Sequence, residues 1–163
     1  MGFAERRIVP IFYLIGSWFA SISLALLTRY QVKGVEKVPR QGPLIVVANH
    51  LHLTDPPIIM ASLPRRIAFM AKQELFNCWA TPVVWGVGAF PVRRGQFDRN
   101  AFRQAMEILK QGLAVGMFPE GKRTLSGGIE PAFAGAALIA LHSGAPILPV
   151  GITGTERLGS IFR

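Results

Sequence analysis

The residues with the clearest chemical potential are a histidine and an aspartate separated by four positions, His50 and Asp55. A tight turn can bring them together, so that the carboxylate accepts a hydrogen bond from one ring nitrogen and fixes the tautomer. The other nitrogen is then available to take a proton from a hydroxyl, and such a general base contributes about 10²–10⁴ in rate. A capped turn with a hydrogen-bonded histidine gives the same pattern, so this spacing alone does not decide.

A second segment, residues 118–124, gathers a carboxylate, a glycine, two cations and a hydroxyl. Arg123 can hold phosphate oxygens in a planar fork, Gly121 lets the backbone approach closely, and Glu120 can receive a hydroxyl or fix the cations. The pattern indicates a phosphate-binding loop. The alternative is a solvated loop with a local ion pair.

Arg93 and Arg94 form a third segment and offer another source of positive charge for an anionic ligand. Paired surface arginines are common in a chain this basic, so these two residues carry little weight alone.

Strands precede these segments in the predicted secondary structure. The run from Leu44 to Ala48 is apolar and rich in β-branched residues, as expected for a strand buried on both faces, and it ends just before His50. A strand end also precedes Arg93. We predict further strands at 30–35, 67–71, 113–118 and 146–152, and helices at 55–63, 98–111 and 130–144.

Strands that alternate with helices predict an α/β fold, a single-domain sandwich around a mainly parallel mixed sheet. A chain of 163 residues is long enough for one core of this kind. In such folds, ligands bind beyond the carboxyl ends of the strands. The three segments are therefore expected at one edge of the sheet.

The N-terminal part has no charged residue from Ile8 to Leu27, and a stretch of about 20 apolar residues can cross a bilayer. Small residues at Gly16, Ser17 and Ala20 suit a shallow or re-entrant anchor equally well. A cleaved signal peptide is the remaining alternative. We predict a membrane-associated helix in residues 1–29 and a catalytic domain in residues 30–163.

The composition limits the partners and suggests two rival functions. A net charge of +9 favours an anionic partner, and a single cysteine excludes an internal disulfide. His50, His52 and Asp55 are possible ligands of a metal-dependent hydrolase, but further ligands are lacking. A non-enzymatic protein that binds anionic membranes or RNA is the second rival. No basic stripe interleaved with aromatic residues is present, so nucleic acid is not a predicted partner.

Four segments, taken together and in this order, resemble the glycerolipid acyltransferase family, which includes the lysophosphatidate (1-acyl-glycerol-3-phosphate) acyltransferases. They are Asn49-His50 with Asp55 five residues after the histidine, Phe90 to Arg93 after a glycine, Phe118-Pro119-Glu120-Gly121, and the proline-rich strand 146–150. The first and third segments are the most specific.

The resemblance implies that His50 is the base, that Asp55 orients it and that no acyl-enzyme forms. It implies a phosphate ligand in Arg93, with Arg94 beside it, and glycerol phosphate binding by Glu120, Gly121 and Arg123. The last segment is expected near the acyl donor. Lys122 departs from the family, which commonly has threonine there. Relatives usually continue beyond the position of Arg163, so a C-terminal tail is expected to be missing.

The substrates implied are lysophosphatidate and an acyl thioester, with acyl-CoA or acyl carrier protein as co-substrate and neither cofactor nor metal. Glycerol 3-phosphate, another lysophospholipid or a lyso-aminolipid are alternative acceptors. Thioesters are made in the cytoplasm and the acceptor lies in a phospholipid bilayer, so we expect the enzyme at the cytoplasmic face of the cell membrane.

Overall fold

The computed structural model describes residues 10–27, 30–79, 81–124 and 131–157, and it has the predicted α/β architecture. The helices are α1 (Pro10–Leu27), α2 (Asp55–Ser62), α3 (Thr81–Gly86), α4 (Arg99–Lys110) and α5 (Gly135–Ser143). The strands are β1 (Leu44–Ala48), β2 (Ile67–Lys72), β3 (Phe90–Val92), β4 (Ala114–Met117) and β5 (Ile147–Val150).

The described strands form one sheet in the order β3-β2-β4-β1-β5, and each of their pairings is parallel. The predicted mixed sheet is therefore wrong for the described strands. Parallel pairing requires a crossover between successive strands, and α2 to α5 lie in such connections. Parallel pairing also puts the carboxyl ends of all these strands at one edge, which we call the carboxyl edge.

Two apolar layers enclose the sheet. On one face Ile45 and Val115 pack with α4 and α5, through residues such as Ala105 and Ile139. On the other face Leu44, Val46 and Phe69 pack with Ile59 and Met60 of α2 and with Tyr13 of α1. The central strands are thus covered on both sides, as their unbroken apolar sequences predict.

Helix α1 is attached to the domain by a buried tyrosine. The Tyr13 hydroxyl accepts a hydrogen bond from the backbone N–H of Ile67 at 3.2 Å and donates one to the carbonyl of Arg65 at 3.4 Å. The predicted start of this helix at Ile8 lies outside the described residues. No helix in the described ranges combines the length and apolar character that a membrane crossing requires.

Several predicted elements differ from the structure. The predicted strand at 30–35 is wrong, because Gly34 has a φ of +79° and a 3-10 turn, Val35–Lys37, follows it. The predicted helix 130–144 begins only at Gly135, and its predicted first residue lies outside the described residues. The 3-10 turn Gln73–Asn77 and helix α3 were not predicted. The helices predicted at 55–63 and 98–111 are confirmed as α2 and α4.

Candidate active site

The predicted histidine and aspartate meet at the carboxyl edge. His50 is the second residue after β1, and its Nδ1 lies 2.9 Å from Oδ2 of Asp55, the first residue of α2. Both side chains are buried, with His50 6% exposed and Asp55 fully enclosed. The contact predicted from the spacing of these two residues is therefore confirmed. The Nε2 atom of the ring makes no hydrogen bond to the described residues.

One oxygen of the Asp55 carboxylate collects most of its hydrogen bonds. Besides His50, the backbone N–H groups of Leu51 and His52 donate to Oδ2 at 2.6 and 2.7 Å. Burial raises the pKa of Asp55, but the hydrogen bonds from the His50 ring and the His52 backbone, the nearby Thr155 hydroxyl and the N–H of Leu51 together outweigh it and hold the pKa below its usual value. Asp55 is therefore an ionised acceptor, and the Nδ1 atom of His50 must carry the proton.

An aromatic stack holds the imidazole ring in place. Phe118 lies against His50 with ring centroids 4.1 Å apart and an angle of 19° between the planes, and Phe69 lies behind Phe118 at 5.7 Å. Gly116 leaves room for this arrangement, because a Cβ there would stand only 2.6 Å from the Phe69 ring. The stack links the orientation of the His50 ring to the packing of the sheet interior.

The segment 118–124 is joined to the histidine through its backbone. The N–H of Thr124 donates to the carbonyl of His50 at 2.7 Å. Glu120 is only 4% exposed and accepts a hydrogen bond from the Thr124 hydroxyl. In this structure Glu120 therefore fixes the loop, and its contact with the glycerol moiety stays a prediction.

Gly121 turns this loop. Its φ is +66°, a region that side chains with a Cβ avoid, and its N–H donates to the carbonyl of Phe118 at 3.0 Å. A Cβ at this position would also stand 2.9 Å from the ring of Phe133. The glycine is thus required both for the turn and for the approach of the segment that leads into α5.

The predicted arginines lie on the same edge and are exposed. Arg93 donates through Nε to the side chain of Gln73 at 2.9 Å, and its N–H donates to Asp98 at 2.9 Å. Burial lowers the pKa of Arg94, with Glu74 opposing and Arg123 adding to the effect. Arg94 and Arg123 therefore lie close enough to act on each other, which makes a cationic region from two predicted segments.

A cavity of about 430 Å³ opens beside these groups, between α4 and α5. Its rim includes Arg93, Arg94 and Gly121, and Phe118 separates it from His50. The walls are mainly apolar and include Met70, Val92, Ala101, Met117 and Ile139. This cavity has the size and lining of a small-molecule site.

Sequence reasoning missed the long-range supports of the site. The Asn49 side chain makes two hydrogen bonds with the backbone of Ile152, one from its amide to the carbonyl at 2.9 Å and one from the N–H to its oxygen at 2.7 Å. Two further supports were also missed. Gln73 accepts a hydrogen bond from Arg93, and the Thr155 hydroxyl lowers the pKa of Asp55. Asn49 belongs to the first segment of the family resemblance, which implies no role for it.

His52 does not join the dyad through its side chain. Its Nδ1 lies 3.0 Å from the Thr54 hydroxyl. Within the described ranges, no three histidine, cysteine or acidic side chains are grouped so that they could hold a metal ion.

Comparisons with known proteins agree on one family. A family model described as Acyltransferase matches residues 29–153. The chain is 30% identical to the 1-acyl-sn-glycerol-3-phosphate acyltransferase of Bacillus subtilis over 144 residues, which covers 87% of this chain and 71% of that protein. It is also 30% identical to the chloroplastic 1-acyl-sn-glycerol-3-phosphate acyltransferase BAT2 of Brassica napus, covering 90% of this chain but only 43% of the relative.

A solved structure is similar in both fold and sequence. It is the 1-acyl-sn-glycerophosphate (LPA) acyltransferase PlsC from Thermotoga maritima, with a TM-score of 0.77 and 32% identity. The match covers 90% of this chain and 59% of that one. The present chain thus spans about three fifths of this solved relative and less than half of the plant protein.

The turn at Gly121 leads to a first prediction. Gly121→Ala should lower the free energy of unfolding by more than Gly95→Ala does, as measured by urea titration. Both positions have positive φ, 66° and 84°, so both substitutions force an unfavourable backbone conformation at a cost of about 1–2 kcal/mol. Only Gly121→Ala adds a contact with Phe133, because nothing lies within 4 Å of a Cβ at Gly95. Equal losses in the two variants would contradict the proposed contact with Phe133.

Proposed function

We propose, given that this chain belongs to the acyltransferase family, that it transfers an acyl group from a thioester to the free hydroxyl of lysophosphatidate and so forms phosphatidate. The observation that carries the proposal is the buried contact between His50 and Asp55 beside an exposed cationic region. Curated relatives named for this reaction support the choice of substrate.

The geometry supports general-base catalysis by His50. With Nδ1 engaged by Asp55, Nε2 is the nitrogen that can accept a proton. As it takes the proton from the acceptor hydroxyl, the oxygen attacks the thioester carbonyl carbon and a tetrahedral oxyanion forms. Collapse of this intermediate breaks the C–S bond, and the imidazolium returns the proton to the departing sulfur. The products are the acylated lipid and a free thiol, without an acyl-enzyme.

The cationic region suits a phosphomonoester, which carries about −1.5 to −2 charges at pH 7. The acceptor phosphate is proposed to lie between Arg94 and Arg123, which are close to each other, with Arg93 beside them. Guanidinium groups bind phosphate oxygens in pairs of hydrogen bonds. This location leaves the glycerol hydroxyl on the side of His50.

The apolar cavity between α4 and α5 is proposed to hold the acyl chain of the donor. It begins at Phe118 and Gly121, next to the dyad, and its apolar walls match a hydrocarbon chain. Either acyl-CoA or acyl carrier protein can deliver such a chain, because both present the acyl group as a thioester.

A phospholipid bilayer is the proposed location of the acceptor, and two exposed apolar regions support it. On α1, the side away from Tyr13 exposes Leu14, Ile15, Trp18, Phe19, Ile22 and Leu26. Near the carboxyl edge, Trp79 follows the Gln73–Asn77 turn and is 89% exposed, the largest exposed fraction among the large apolar residues of the described ranges. Amphipathic aromatic residues favour the membrane interface, and the net charge of +9 favours anionic lipid.

The arrangement suits an enzyme that lies on one leaflet. Gly16 of α1 is close to Val87, just beyond α3, and Val87 packs with Tyr13 of α1 in the apolar layer on one face of the sheet. Because thioester donors are made in the cytoplasm, we propose that this leaflet is the cytoplasmic one.

The proposed base is tested by His50→Ala. Membranes that carry this variant should lose acyl transfer from labelled acyl thioester to lysophosphatidate by about 10²-fold or more, since the hydroxyl then has no base. His142→Ala is the matched control, because this imidazole is exposed on α5 and should leave most of the activity. Full activity in His50→Ala would reject the mechanism.

The proposed phosphate site is tested by Arg123→Gln. The KM for lysophosphatidate should rise about two- to fivefold with kcat little changed, because an exposed charge contributes to ground-state binding. Arg40→Gln removes the same charge from the turn held by Arg65 at the opposite edge of the sheet, so it should not change KM. Monoacylglycerol, which lacks the phosphate, should show no difference among the three proteins. An equal rise in KM in both variants would indicate a general charge effect and contradict the site.

The proposed bilayer contact is tested with the three tryptophans, Trp18, Trp79 and Trp85. In variants that keep one tryptophan and replace the others by phenylalanine, vesicles of anionic phospholipid with brominated acyl chains should quench Trp18 and Trp79 most. Trp85 serves as the internal control, because it packs against the Phe76 ring at a centroid distance of 4.9 Å. Quenching of Trp85 alone, or of none of the three, would contradict the proposal.

A further inference from the structure

The carboxylate of Asp55 is supported very unevenly. Oδ2 accepts three hydrogen bonds, from His50 and from the backbone of Leu51 and His52. Oδ1 is enclosed and has no hydrogen-bond partner of good geometry among the described residues. Burying an ionised carboxylate oxygen without a hydrogen-bond donor costs free energy. A group that donates a hydrogen bond to Oδ1 is therefore expected nearby.

Thr155 is the residue that meets this need. It is 7% exposed, and its hydroxyl oxygen is likewise enclosed without a partner of good geometry among the described residues. The hydroxyl is one of the groups that lower the pKa of Asp55, after burial, which raises it, and the hydrogen bonds of His50 and His52. Two enclosed polar groups, one an obligatory acceptor and one a donor that can rotate, are therefore neighbours.

The backbone explains why Thr155 lies there. Asn49, next to the catalytic histidine, makes its two hydrogen bonds with Ile152 at 2.9 and 2.7 Å. These bonds fix the segment after β5 against the end of β1, and the 3-10 turn Thr155–Arg157 follows at once. The segment is thus held at the end of β1, beside the residue pair formed by His50 and Asp55.

We propose that Thr155 is a positioning residue for the dyad, whose hydroxyl donates a hydrogen bond to Oδ1 of Asp55 and holds the carboxylate so that Oδ2 faces His50. This inference rests on the proposed function of the dyad. It gives the segment 151–155 a role behind the carboxylate, whereas the sequence resemblance placed the strand before it near the acyl donor.

The test compares Thr155→Val, which keeps the shape but removes the hydroxyl, with Thr155→Ser, which keeps the hydroxyl. In acyl transfer, kcat should fall about tenfold in Thr155→Val with KM little changed, and Thr155→Ser should retain most of kcat. Thr155→Ala is a second hydroxyl-free variant in case the valine variant does not fold. Equal kcat in the wild type and the hydroxyl-free variants, or an equal loss in Thr155→Ser, would overturn the proposal.

A second readout does not depend on activity. The carboxyl ¹³C signal of Asp55, identified by its absence in Asp55→Asn, is titrated with acid in the substrate-free protein. Because the Thr155 hydroxyl favours the ionised form, the midpoint should lie at higher pH in Thr155→Val and return toward the wild-type value in Thr155→Ser. An unchanged midpoint in Thr155→Val would overturn the proposal. Loss of the proposed function alone would leave this titration as expected, so the two failures can be distinguished.

Discussion

The site depends on keeping one carboxylate ionised in the absence of water. Asp55 is fully enclosed, and burial by itself favours its neutral form. Hydrogen bonds from a ring and two backbone N–H groups, together with a nearby hydroxyl, reverse that preference. The backbone donors come from the turn between β1 and α2. The positions of the strand end and the helix start therefore stabilise the negative charge of Asp55. The ionised form in turn places the proton on Nδ1 of His50 and leaves Nε2 as a proton acceptor, the role that the proposed function requires.

The orientation of the imidazole has a separate origin in the core. Gly116 lets Phe69 approach β4, Phe69 supports Phe118, and Phe118 stacks on His50. The stacked rings restrict tilting of the imidazole out of its plane, whereas the hydrogen bond to Asp55 restricts its rotation within that plane. Since β4 also delivers the loop that contains Glu120 and Gly121, one strand sets both the ring and the loop.

The sequence predicted what is local and missed what is distant. His50 and Asp55 are five residues apart, so a turn was enough to infer their contact, and β1 was recognisable from its apolar run. Asn49 and Ile152 are 103 residues apart, and their pairing requires β5 to lie beside β1, an order that no local pattern specifies. Helix α3 has six residues and shows no clear period, so it was missed, whereas strand β3, three residues with a proline in the middle, was inferred only as a strand end before Arg93. The strand predicted at 30–35 is wrong for a different reason. The local sequence has the pattern of an extended strand, but the positive φ of Gly34 turns the backbone there.

The contrast between the buried dyad and the exposed arginines bears on how an acceptor is selected. Interactions of exposed charges are worth only about 0–1 kcal/mol each, so Arg93, Arg94 and Arg123 cannot bind a phosphate tightly by themselves. Much of the affinity must then come from apolar contacts, in the cavity between α4 and α5 and at the bilayer surface. In the proposed function the arginines then add a small increment of affinity for a charged headgroup to an apolar contribution that every acyl lipid shares. On this view a change of headgroup alters KM by a small factor and leaves the reaction of the bound lipid at Nε2 of His50 largely unchanged.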